Sequence, residues 1–234
     1  MQRLFSGFSA ALLALAAGCT STGTAIETDQ GGRLVASARV SIGFRQDTPA
    51  DPHDGLALEL AAATVKGRST QTLESGQRVE LGGETFNGPT TIENETRATM
   101  LDGALRWRRF SASRVLGLEL LGGLSYANLE FTSTGPAEFG REGLAKFGLV
   151  GGIGGIWRIG SSTSLHARYS SFATFRLFEE TDVRRFELAL AQALGRHFIV
   201  RAGYQSWAIE SKQLLRSEVS TRLRGPSLGL ELAF

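Results

Sequence analysis

The sequence predicts an all-β fold: a closed antiparallel up-and-down transmembrane β-barrel over residues 33–234, with ten strands favoured and eight as the alternative. Three observations carry the prediction. Apolar residues recur with period two in segment after segment, which is the periodicity of a strand and not of a helix. The opposite parity of the same segments carries the charges. The chain has 29 glycines against 5 prolines, which suits many strands joined by turns.

The segments follow in order. In "RLVASARVSIGFRQ", Leu34, Ala36, Ala38, Val40, Ile42 and Phe44 oppose Arg39 and Arg45. A helix would mix those arginines into the apolar side, so a strand is expected. "GLALELAAATVK" sets Leu56, Leu58 and Leu60 against Glu59, and "TMLDGALRWRRF" sets Leu101, Leu105 and Trp107 against Asp102, Arg106 and Arg108. "VLGLELLGGLSYANLEF" opposes Leu118, Leu120 and Tyr126 to Glu119, and "AKFGLVGGIGGIWRI" opposes Phe147, Ile153 and Trp157 to Lys146 and a row of glycines. "SLHARYSSFATF" opposes Leu165 and Tyr169 to His166 and Arg168. "RRFELALAQAL" opposes Phe186 and Leu188 to Arg185 and Glu187, and "HFIVRAGYQSWA" opposes Val200 and Tyr204 to Arg201 and Gln205. The last strand ends "PSLGLELAF", with Leu228, Leu230, Leu232 and Phe234 on one parity and Glu231 on the other.

Connections at 111–114, 160–162 and 195–196 are short, whereas 132–143, 176–181 and 209–219 are longer and polar. Short turns at one rim and long loops at the other fit a membrane barrel. If both ends of the chain lie at the same rim the strand number is even, so a tenth strand is expected within "LESGQRVELGG", where Leu73, Val79 and Leu81 share a parity.

Lys plus Arg number 25 and Asp plus Glu 23, which excludes the charge surplus of a nucleic-acid binder. The mean hydropathy of -0.04 resembles that of a soluble protein, but an alternating wall never builds a long apolar run. Residues 1–18, with Arg3 and an apolar stretch from Ala10 to Ala17, have the layout of a secretory signal. Residues 19–32 read as a flexible tether. The single cysteine, Cys19, excludes an internal disulfide. Ala16-Ala17-Gly18-Cys19 resembles a bacterial lipobox, which implies lipidation at Cys19; Ala16 replaces the usual Leu, and Thr20 favours the outer membrane by resemblance.

A soluble lipocalin-like barrel with the apolar parity inward would show the same periodicity. Long strands and aromatic residues at strand ends (Trp107, Tyr126, Trp157, Tyr204, Phe234) favour the membrane form. The ending resembles the C-terminal β-signal of bacterial outer-membrane β-barrel proteins, carried by Leu228, Leu230, Leu232 and Phe234, and "VRAGYQSWA" looks like a strand common in small members of that class. The resemblance implies outer-membrane location, contact with outer-membrane lipids and lipopolysaccharide, and passage through the barrel-assembly machinery. No subfamily is singled out.

The inward parity is expected to hold a lumen charge network of Arg39, Glu59, Asp102, Arg106, Arg108, Glu119, Arg168, Glu187, Arg201 and Glu231, with His166 and Arg185 beside it. A narrow barrel fills with side chains, so an interlocked ionic core is favoured over a small anion-preferring pore. The expected role is structural or surface-interactive. A barrel enzyme acting on lipid A or peptides stays open, but His53 sits in an Asp- and Pro-rich turn sequence and His197 in a tight turn. His166 lacks the His-x-Ser-Asn spacing of lipid A deacylases, because Arg168 takes the Ser place. No residue is assigned to catalysis, a metal or a cofactor.

Overall fold

A computed structural model describes residues 26–31, 34–43, 54–174, 181–211 and 219–233. The strands are β1 (Ile26–Gly31), β2 (Val35–Gly43), β3 (Gly55–Leu73), β4 (Arg78–Leu81), β5 (Glu84–Asn87), β6 (Thr90–Phe110), β7 (Leu116–Thr134), β8 (Phe139–Arg158), β9 (Thr163–Thr174), β10 (Thr181–Leu194), β11 (Phe198–Ser211) and β12 (Val219–Ala233). From β3 through β6 to β12 each strand of the main sheet pairs antiparallel with the next, and β2 pairs antiparallel with β3. The ring closes where β12 meets β1 and then β2, from Ile26↔Val219 to Ser41↔Ala233. These last pairings are parallel.

Because β1 and β2 succeed one another along the same edge of β12, the ring has nine strand positions, not the ten or eight expected from the sequence. The parity rule failed at its premise. Parallel first and last strands put the two ends of the ring at opposite rims, which an odd number permits. Ile26–Gly31, expected within the tether, is paired strand. Cys19, His53, Phe44 and Phe234 lie outside the described residues.

The segment expected to supply a tenth strand instead forms the β4–β5 hairpin, a separate two-stranded sheet. Gly82 and Gly83 connect it with φ of 62° and 84°, the paired left-handed conformation of a two-residue hairpin turn. The turn rests on the end of β8: the Gly82 amide donates to a Glu142 carboxylate oxygen at 3.2 Å, and a Cβ at Gly140 would overlap the Leu81 carbonyl oxygen. Val79, Leu81 and Phe86 are buried there with Leu73, Ile92 and Phe131. Replacing Gly140 by Val should lift the hairpin and cost about 1 to 3 kcal/mol, as overpacking does. Faster proteolysis between Glu74 and Thr90 would report it, with the main ring intact.

The expected long connection at 132–143 is largely strand as well. β7 runs to Thr134 and β8 begins at Phe139, joined by a turn in which the Gly135 amide donates to the Glu138 carbonyl at 2.8 Å. The reason is an inversion along single strands. On β7 the outward residues are apolar from Leu116 to Tyr126 and then polar at Asn128, Glu130 and Thr132. The inward ones run from Glu119 and Ser125 to the buried Ala127, Leu129 and Phe131. β6 shows the same change, from outward Leu101 and Leu105 to outward Arg97, Glu95 and Glu93, and from inward Arg106 to inward Met100, Ala98 and Ile92. Polar outward residues past the inversion mimic a loop when read as a linear sequence.

The molecule therefore has two storeys. Around the tight turns at 111–115, 159–162 and 195–197 the wall is apolar outside and ionic inside. Toward the other rim it is polar outside and holds an apolar core of Val65, Met100, Leu129, Phe172, Trp207 and Leu223, covered by the hairpin.

Candidate functional site

The charges of the lower storey face inward because each occupies the odd or even parity opposite a leucine or aromatic residue on its strand. Strand stagger then brings them to one level, although they lie far apart in the chain. Arg106 on β6 donates to Glu59 on β3 at 3.0 Å, to Glu231 on β12 at 3.3 Å and to the Ser41 hydroxyl on β2 at 3.2 Å. The Ser41 hydroxyl itself donates to Glu231 at 3.0 Å. Arg201 on β11 grips Glu231 through two nitrogens, with Nε at 2.9 Å. Arg168 on β9 bridges Glu59 at 2.5 Å and Glu119 on β7 at 3.0 Å. Arg108 takes the other oxygen of Glu119 at 2.7 Å. Arg39 on β2 reaches Glu59 at 3.2 Å and Glu187 on β10 at 3.3 Å.

Five arginines and four glutamates thus form one connected belt across the inside of the ring of strands. Glu59, Arg106, Glu119, Arg201 and Glu231 are each 5% exposed or less. Charges so far from water are tolerated only when paired and hydrogen-bonded, and the forked guanidinium suits several carboxylates at once. Gly154 leaves room for the belt, standing opposite Glu119 where a side chain would crowd the carboxylate.

Asp102, expected in the same network, sits one step toward the apolar storey. It pairs with Arg185 at 2.6 Å and accepts from the Ser125 hydroxyl at 2.5 Å. Arg185 also lies 5.4 Å from the centre of the Trp207 ring, where ionic and apolar layers meet. Sequence reasoning missed the apolar layer. Its signal was present in the outward charges Lys66, Arg68, Glu93, Glu95 and Arg97, which oppose inward Val65, Ile92 and Met100.

Small cavities flank the belt. One of about 60 Å³ opens at the tight-turn rim, and another of about 50 Å³ lies between the belt and the apolar core. His166 lines the first and pairs through Nε2 with the Ser164 hydroxyl at 2.8 Å, not with Ser170 or Ser171. His197 stands exposed in the 195–197 turn. Leu228 and Leu230 of the chain's last strand are about half exposed on the outer wall, and Leu232 is half-buried there. Among the described residues, no cluster of His, Cys, Asp and Glu is arranged to hold a metal. No protein-family model matches the chain, and comparisons with curated proteins and with solved structures give no match either.

Proposed function

We propose that the chain is an integral outer-membrane β-barrel whose lower storey stands in the bilayer, with a structural or surface-interaction role in the envelope and a lumen filled by the ionic belt. The observation that carries this reading is the inversion of polarity at a common level on successive strands. From Leu116 to Tyr126 the outward face of β7 is apolar over ten residue steps. At about 3.3 Å per residue and a tilt near 40°, that spans about 25 Å, the height of a lipid-facing band.

The rims of this band support the same placement. Trp107, Trp157 and Phe198 lie on the outer face near the tight turns, and Tyr126, Phe147, Tyr169, Phe186 and Tyr204 on that face near the inversion. Tyr126 and Phe147 pack with ring centroids 4.8 Å apart and planes tilted by 48°. Two aromatic girdles bracketing an apolar wall match residues held at the two interfaces of a bilayer. In water, exposed Leu116, Leu124, Phe147 and Trp157 on one continuous wall would form an apolar patch far larger than a soluble monomer carries.

On this reading outer-membrane lipids and lipopolysaccharide surround the lower storey, tight turns face the periplasm, and the polar storey with its hairpin faces outward. Leu228, Leu230, Leu232 and Phe234 serve as the signal to the assembly machinery, and Cys19 is the site of lipidation. The belt and the apolar core together block the lumen, which favours a structural barrel over a pore.

The test is electrophoretic. Unboiled protein is expected to migrate differently from boiled protein on a denaturing gel, to need detergent for extraction, and to stay in the membrane fraction when Cys19 is replaced by Ala. Co-migration of the two samples, with solubility in the absence of detergent, would exclude the proposal.

A further inference from the structure

We infer that the cavity at the tight-turn rim binds a small oxyanion of the phosphate or sulfate class. The cavity of about 60 Å³ has room for a few water-sized groups, which suits a compact ion better than an extended ligand. Arg106, Arg108, Arg201, His166 and Ser164 face it, and Glu231 is the one carboxylate on its wall among the described residues. Arg158 stands on the wall near the rim.

One further observation points to an anion. The belt has five arginines for four glutamates, and on this side Arg108 directs its hydrogen bonds to Glu119, a carboxylate that Arg168 already engages. A buried charge without full compensation is costly, and an oxyanion beside it relieves that cost. Phe110, Ile156 and Ile199 make the rest of the wall apolar, which strengthens such a contact. The belt lies behind the cavity, so the ion enters and leaves by the tight-turn rim. None of this depends on where the bilayer lies.

The experiment is calorimetric titration of the full chain in detergent with inorganic phosphate, at ionic strength held constant with sodium chloride. Saturable binding is expected, together with a thermal midpoint raised beyond the effect of salt. Arg108→Met makes the belt four against four and leaves Glu119 with Arg168, so it should fold and bind phosphate at least about tenfold more weakly, as loss of a charge-assisted contact predicts. Arg158→Gln, outside the belt, should weaken binding in the same sense and serves if the first variant fails to fold. Lys66→Met, on the outer face of the polar storey, should leave affinity unchanged. A parallel titration with glycerophosphate identifies the source: equal binding indicates a phosphorylated headgroup, and binding of inorganic phosphate alone indicates the free ion. No heat of binding beyond that of chloride, or unchanged affinity in both Arg108→Met and Arg158→Gln, overturns the assignment.

Discussion

Replacing Glu231 by Ala should destabilise the fold by about 3 to 5 kcal/mol, the cost of removing one partner from a buried ionic group. Glu231 is 2% exposed and is the acceptor for two nitrogens of Arg201, for Arg106 at 3.3 Å and for the Ser41 hydroxyl at 3.0 Å. Arg39 stands 3.9 Å away. Loss of Glu231 leaves Arg201 buried with no carboxylate within ion-pair distance among the described residues and raises the excess of positive charge in the belt. The urea midpoint in detergent micelles measures the effect. Glu231→Gln keeps the shape and should still lose most of the stability, because charge is what the arginines lack. Pairing Arg201→Met with Glu231→Leu should recover most of the loss, since apolar residues of similar volume often replace a buried ion pair at little cost. A double variant as unstable as Glu231→Ala would show that the belt is held by hydrogen-bond geometry more than by charge balance.

For the belt charges, the side of the sheet follows from the period-two alternation of side chains, with a neighbouring Leu or Trp giving the parity; the outward charges of the polar storey break that rule. The partner each charge takes is not set locally. Arg106 and Glu231 are 125 residues apart, and Arg168 and Glu59 109, so their meeting depends on strand order and stagger that no local window contains. The strand number escapes a local reading for a related reason. An even count follows from both ends sharing a rim, and whether β2 runs parallel or antiparallel to β12 is a long-range property. The longest departure from the sequence expectation is at 132–143, where polar composition suggests a loop. There the strand goes on with its faces exchanged, so that Thr132 points outward and Ser133 is buried against Asn94 at 2.5 Å.

That exchange gives the sharpest test of the proposal that the lower storey stands in a bilayer. Leu120 lies near the middle of the apolar band on the outward face of β7, opposite Trp107 on β6 and Ile153 on β8. An arginine there has no lumenal partner and would meet hydrocarbon, so Leu120→Arg should cost about 2 to 4 kcal/mol if the lower storey is in the bilayer. Asn128 is on the same strand and the same face, eight residues further on, past the inversion. Asn128→Arg should cost about 0 to 1 kcal/mol, as at an interface. In water the two positions would be equivalent to a first approximation, because both are outward-facing on one strand and a long arginine side chain is solvated at either. Folding into lipid vesicles, followed by the urea midpoint, compares them directly, and the same pair in a short-chain detergent should show a smaller gap. Equal stability of both variants in vesicles would place the bilayer elsewhere on the molecule or remove it. A large difference confined to vesicles can come only from a solvent that changes along β7 between Leu120 and Asn128.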